Sequence, residues 1–258
     1  MITHYRHTPI FYETCGTGPA LILLHGFLES SSMWLAVVNE FKSTFQVVTV
    51  DLPGHGKSGC FSEIHTMEEM ADVVMHILDE LSVPSATIIG HSMGGYVALA
   101  ILELFETGVD KLILLNSTSL ADDHERKKNR NRAVALLERN NESYVRMSLT
   151  NLYTENARIR FASEIELQKL EALKFPAVGL QAAHLGMRDR PDRTLVLQNF
   201  SKKKWVIAGE EDTIVPLASI EHVAKITHTH LMKIKGGHML LTENKEETIK
   251  TLRLVVQT

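Results

Sequence analysis

Ala86-Thr87-Ile88-Ile89-Gly90-His91-Ser92-Met93-Gly94-Gly95-Tyr96-Val97-Ala98-Leu99-Ala100-Ile101-Leu102 holds a strand, a turn and a helix in one run. Ala86 to Ile89 is short, apolar and β-branched, as a buried strand is. Tyr96 to Leu102 is rich in good helix formers. Between them, Gly90-His91-Ser92-Met93-Gly94 fits the G-x-S-x-G pattern, which holds a serine at a strained strand-to-helix turn with its hydroxyl above the sheet. The glycines let strand and helix backbones approach closely. The helix start offers free N–H groups and positive potential to a developing oxyanion. Ser92 is therefore the candidate nucleophile; a plain glycine-rich turn is the alternative.

Upstream, Ala20-Leu21-Ile22-Leu23-Leu24 is continuously apolar, as expected of a strand covered on both faces. It runs into His25-Gly26-Phe27. Two N–H donors are needed to hold an oxyanion, and the Phe27 and Met93 N–H groups are the candidates. A tight turn with Phe27 in the core is the bland reading. Ile2–Tyr5 and Ile10–Thr14 suggest an edge hairpin, and Ser31–Phe41 a helix with Trp34, Val37, Val38 and Phe41 on one face. Phe45–Val50 is the next buried strand. Gly56-Lys57-Ser58 has the end of a phosphate loop but lacks the upstream glycine, so Asp51 is expected to accept loop N–H groups instead. Thr66 and Glu69 form a capping-box pair for a helix through Leu81. Leu112–Leu115 is another strand. Alternation of strand and helix argues for a mainly parallel sheet with helices on both faces.

From about Ser119 to Phe200 the pattern is helical, charged and nearly strand-free. It is expected to be an inserted helical cap at 119–200, with the sheet domain formed by 1–118 and 201–258. Arg126, Lys127, Lys128, Arg130 and Arg132 are expected on a solvated helix face. Leu149, Leu152, Tyr153, Phe175, Leu185 and Met187 are candidates for cap core or cavity wall. Strand pattern resumes at Trp205-Val206-Ile207-Ala208 and ends at Gly209-Glu210-Glu211-Asp212. A carboxylate that orients a catalytic histidine is expected on this loop. Asp212 is preferred, with Glu210 and Glu211 not separable by spacing. Leu231–Ile234 leads to Gly236-Gly237-His238, a loop from which His238 can reach Ser92. The chain order Ser, Asp, His fits that of serine hydrolases on open α/β sheets. Asn244 and Glu247 are expected to cap a last helix.

The chain has 258 residues, 44% hydrophobic and 22% charged, within the range of one large globular domain. A net charge of -4 gives no polyanion footprint, so no nucleic-acid partner is expected. Two cysteines, Cys15 and Cys60, form no disulfide framework or metal spacing. With no basic-then-apolar leader and no membrane-length apolar run, a cytoplasmic protein without membrane association is expected. Composition carries nothing about oligomeric state.

Taken together, Ser92, the His25-Gly26-Phe27 loop, Asp212 and His238 resemble the α/β-hydrolase fold family over nearly the whole chain. Asp51-Leu52-Pro53-Gly54-His55-Gly56-Lys57-Ser58 is similar to that family's turn after an early strand. The resemblance implies a Ser-Asp-His hydrolase with a helical cap, a small-molecule substrate and no cofactor or metal. Serine rather than aspartate at position 92 implies acyl chemistry, with an ester or lactone as substrate. Carbon–carbon bond hydrolysis, a lyase reaction, or a small-molecule receptor on the same fold remain alternatives.

Overall fold

The computed structural model describes residues 1–258. Strands β1 (Ile2–Tyr5), β2 (Thr8–Cys15), β3 (Ala20–Leu24), β4 (Gln46–Val50), β5 (Ala86–His91), β6 (Val109–Leu115), β7 (Lys203–Gly209) and β8 (His230–Ile234) form one sheet, in the order β1-β2-β4-β3-β5-β6-β7-β8. From β4 through β8 every pairing is parallel, and only the β1–β2 hairpin joins antiparallel, at one end. The expected α/β architecture is therefore the observed one.

Strand side chains alternate between the two faces because strand periodicity is two. Ile22, Leu24, Val48, Val50, Ile88, Leu112 and Leu114 point to one face. There they meet α2 (Met67–Glu80), α3 (Met93–Leu104) and α10 (Leu217–Thr227). Leu21, Leu23, Val47, Ile89, Ile113 and Leu115 point to the other and meet α1 (Leu35–Phe41), α11 (Leu240–Glu243) and α12 (Lys245–Gln257). Burying both faces is why these strands read as unbroken apolar runs rather than alternating ones.

Between β6 and β7 lie six helices: α4 (His124–Arg139), α5 (Asn141–Asn151), α6 (Glu155–Arg160), α7 (Ala162–Ala172), α8 (Ala177–Asp189) and α9 (Thr194–Asn199). The first five enclose a hydrophobic cluster of their own, including Leu137, Val145, Leu149, Tyr153 and Phe175. By contrast, α9 packs on α3 and α10 of the sheet domain. No helix is long and apolar enough to cross a membrane.

Three local expectations need correction. Ser31–Phe41 is not one α-helix; Ser31–Trp34 forms a 3-10 turn before α1. The Ser31 N–H is drawn to Asp51 Oδ1 at 2.7 Å and the Ser32 N–H to Ser30 Oγ, which tightens that turn. Thr66 does cap α2, accepting the Glu69 N–H, but Glu69 pairs with Arg6 rather than returning a capping bond. Asn244 precedes α12 without a side-chain cap, because its amide donates to Lys235 O. The phosphate-loop alternative also fails: the Asp51 carboxylate already accepts the Lys57 N–H at 2.8 Å, and the Lys57 ammonium lies over the Phe11 ring.

Candidate active site

Strand order sets the site. The chain leaves β3 for β4 on one side, then crosses back to β5 on the other, so β3 and β5 are neighbours whose following loops diverge. Ligand crevices in open parallel sheets form beyond the carboxyl ends of strands at such a reversal. Leu24 pairs with Gly90, which sets the His25-Gly26-Phe27 loop beside the turn at Ser92.

Ser92 stands just ahead of α3 with φ 49° and ψ -113°. A non-glycine residue in that region costs on the order of 1–3 kcal/mol and persists only where its surroundings hold it. Here the Ser92 N–H donates to Leu115 O at 3.0 Å, and Ser117 Oγ donates to Ser92 O at 2.7 Å. Position 94 must be glycine, because a β-carbon there would overlap the Leu24 carbonyl. Neither the Met93 N–H nor the Phe27 N–H donates to a protein acceptor. His25 latches the loop: the Leu52 N–H donates to Nε2 at 2.9 Å, leaving the Nδ1 proton for Gly26 O at 2.7 Å.

His238 lies in the loop after β8, 2% exposed. Its Nε2 is 2.9 Å from Ser92 Oγ and its Nδ1 is 2.8 Å from Asp212 Oδ2. Asp212 Oδ1 accepts the N–H groups of Ile214 and Val215, and Oδ2 accepts Asn116 Nδ2 at 2.8 Å. Burial alone would raise the Asp212 pKa, but His238 and these donors outweigh it and hold it below the ordinary value. An ionised Asp212 takes the Nδ1 proton as its donor, so the lone pair of Nε2 faces the serine hydroxyl. Glu210 and Glu211, the competing acids, are exposed and make no bond to His238. The histidine is also not a loosely swinging side chain, since both ring nitrogens and its own carbonyl are engaged.

Two further residues complete this end of the site. Glu29 Oε2 accepts the Gly26 N–H at 2.5 Å and lies 2.8 Å from His91 Nδ1. Asn116, at φ 48° just past β6, spans Asp212 and Gly237 O. Neither has a motif of its own; an acid near a Gly-turn and an asparagine past a strand end are the only sequence signals.

Ser92 and His238 open into a cavity of about 580 Å³ roofed by α4, α5 and α8. Leu152 and Met187 line it, but Leu149, Tyr153 and Phe175 belong to the interior of the cap, and Leu185 lies at a separate depression. Arg130 departs from the solvated face expected of it. It turns inward to Asp122 and His184. No three His, Cys, Asp or Glu side chains gather as a metal site would require.

Residues 19–245 match the sequence model of the family described as the alpha/beta hydrolase fold. The chain belongs to this family. An esterase from Thermogutta terrifontis, in a malate-bound structure, is 30% identical, with a TM-score of 0.91 over 97% of this chain and 93% of its own. The enol-lactonase of Burkholderia xenovorans LB400 has a TM-score of 0.93 over 100% of both chains at 18% identity, a likeness of fold alone. An uncharacterised protein of Mycobacterium tuberculosis is 33% identical over 112 residues, 43% of this chain and 33% of that protein's length. The match thus spans about a third of that relative.

Proposed function

We propose that the protein is a serine hydrolase that cleaves a carboxylic ester or lactone of a small molecule through an acyl-enzyme. The observation that carries this reading is the continuous line Ser92 Oγ, His238 Nε2, His238 Nδ1, Asp212 Oδ2, with separations of 2.9 and 2.8 Å, at the floor of a cavity. The full-length likeness to an esterase supports it.

In this reading His238 takes the Ser92 proton as Oγ bonds to the substrate carbonyl carbon. The oxyanion that forms is held by the Phe27 and Met93 N–H groups, free for that purpose. His238 passes its proton to the leaving alcohol oxygen as the carbon–oxygen bond breaks. It then takes a proton from water, whose oxygen attacks the acyl carbon, and returns that proton to Ser92 Oγ as the acyl–Oγ bond breaks and the acid leaves. Asp212 fixes the tautomer and stabilises the imidazolium in both halves. No step calls on a cofactor.

The test is a panel of esters and lactones of graded chain length, run beside labelling by a fluorophosphonate. Stoichiometric labelling at Ser92 with turnover near the enzyme median of about 10 per second supports the reading. Labelling with turnover orders of magnitude slower favours a receptor on the same fold, and no labelling at Ser92 refutes the assignment.

A further inference from the structure

Resting on that hydrolase reading, we infer that the cavity also holds a carboxylate subsite built on Arg130 and Tyr144, so the substrate is an ester or lactone that carries a carboxylate.

The charges under the cap do not balance. The Asp122 side chain is fully buried and pairs with Arg130 Nε at 3.0 Å and with Arg190 Nη1 at 2.9 Å. One carboxylate faces two guanidiniums, which leaves one positive charge over. Arg190 is committed to the fold: it donates to Met187 O and Leu120 O and lies 3.8 Å from the centre of the Tyr96 ring. Arg130 is not. Its Nε serves Asp122, its Nη1 lies 3.4 Å from His184 Nδ1, and its Nη2 donates to no protein atom while the residue lines the cavity. The one acid in the lining, Glu29, is paired with His91 at the other end. A half-buried cation without a matching anion is costly, and a ligand carboxylate offsets that cost.

The neighbouring hydrogen bonds supply a second donor. A guanidinium only donates, so His184 Nδ1 must accept. Burial, then the charges of Arg130 and of His55, push the His184 pKa well below its ordinary value and keep the ring neutral. Its single proton is therefore on Nε2, 2.6 Å from Tyr144 Oη, and Tyr144 receives that bond. The phenolic hydrogen of Tyr144 is therefore not spent on His184; the hydroxyl lies in the cavity wall, hydrogen-bonded with the Ser148 side chain, and the pair presents a donor to the cavity. A planar guanidinium edge with a hydroxyl donor suits the two oxygens of a carboxylate. Arg132, the other arginine in the lining, is exposed and donates to Asn129 Oδ1, so Arg130 is the guanidinium that the buried Asp122 holds in place at the cavity wall. The His184 ring packs on the Phe27 ring, centroids 4.2 Å apart, so the subsite begins one ring beyond the oxyanion loop.

Four esters test this. Ethyl hydrogen glutarate and 4-acetoxybutanoate carry the carboxylate on the acid and the alcohol side. Ethyl 5-methylhexanoate and 4-methylpentyl acetate are their neutral isosteres. The wild type is expected to prefer at least one charged ester over its isostere by ~10- to 100-fold in kcat/KM, the range for a hydrogen bond to a charged group. Arg130→Gln should collapse that ratio, Tyr144→Phe should reduce it, and Arg130→Lys should restore part of it. The ratio is internal to each variant, so partial misfolding leaves it unchanged. No preference for either charged ester, or a ratio unmoved in both Arg130→Gln and Tyr144→Phe, overturns the subsite. If none of the four is cleaved, the hydrolase reading is what suffers, and calorimetry of glutarate with the Ser92→Ala protein decides the subsite. Binding that disappears when Arg130→Gln is added upholds it, and binding that is absent or indifferent to Arg130 overturns it.

Discussion

His91 Nδ1 lies 2.8 Å from Glu29 Oε2, and the opposite nitrogen of the same ring lies 3.0 Å from the carbonyl oxygen of His238. A carboxylate and a carbonyl can only accept, so both bonds form together only when His91 carries both ring protons. Burial alone would lower the His91 pKa and raise that of Glu29. Their mutual charge and hydrogen bond outweigh it, so His91 is raised and Glu29 lowered. Because Glu29 also accepts the Gly26 N–H, one buried ion pair ties the His25-Gly26-Phe27 loop to the loop that carries His238.

Glu29→Gln should therefore act on turnover more than on binding. The amide keeps the size of the side chain but removes the charge that keeps His91 doubly protonated, which loosens both loops at once. A fall in kcat of roughly tenfold or more with KM little changed is expected, the size of one or two charged hydrogen bonds. Steady-state kinetics on a neutral ester checks it, and an unaltered kcat would remove Glu29 from any positioning role.

The same pair fixes a pH window for stability. The His91 pKa is raised above 6.5 on folding, so its contribution is complete below about pH 6.5 and lost as pH rises through the folded value. The Glu29 pKa is lowered from 4.5, so its contribution is complete above about pH 4.5 and lost as pH falls through the folded value. The stability difference between wild type and the double variant Glu29→Gln, His91→Gln should peak between those limits and shrink on both sides. Urea unfolding across the pH range measures it; a difference that is flat with pH would show that the pair is not ionic.

How much of this was legible in the chain follows from where each partner lies. Ser92 announces itself because its strained turn needs glycines within two or three residues, and His238 because its loop follows a strand end. Asp212 could not be told from Glu210 and Glu211 by spacing; the turn after β7 buries only the third, where the Ile214 and Val215 N–H groups take its Oδ1. Glu29, Asn116 and Arg130 were not legible. His91 and Asp212, the partners of Glu29 and Asn116, are 62 and 96 residues away, and Arg130 meets Asp122 from eight residues on only once the cap has folded against His184. Arg130 reads as solvent-facing because α4 is charged nearly all round, and composition cannot tell which arginine faces Asp122. Cavity walls escaped for the same reason: Leu149 and Leu152 are alike in sequence, yet one faces the cap interior and the other the cavity.

The proposed cap, expected over 119–200 but sharing its hydrophobic cluster only among α4 to α8, should open more readily than the sheet. In α4 only Ala133 and Leu137 are buried, whereas every residue of β5 is. Few buried apolar contacts mean a low local opening free energy. Amide hydrogen exchange should therefore reach Asp122–Asn141 before Ala86–Ile89. Equal protection of the two segments would count against a separately moving cap.

The candidate triad should fail as a unit. Ser92→Ala should abolish fluorophosphonate labelling and ester turnover together, because no other serine sits at a positive-φ turn with a histidine nitrogen 2.9 Å from its hydroxyl. His238→Ala should do nearly as much damage, and the double variant should be little worse, since groups that act on one proton transfer are not additive. Asp212→Asn keeps the shape and is expected to cost on the order of 10⁴ in kcat by favouring the wrong imidazole tautomer. Its NH2, standing where Oδ2 accepts in the wild type, would also face the Asn116 amide donor, so part of that loss should appear as a lower melting temperature. Comparing kcat per folded molecule separates the two effects. Residual hydrolysis above the rate in water should survive in His238→Ala and Asp212→Asn from the Phe27 and Met93 donors. An active Asp212→Asn beside an inactive Glu210→Gln or Glu211→Gln would move the acid and leave the rest. A Ser92→Ala protein that still labels and still turns over esters would end the assignment.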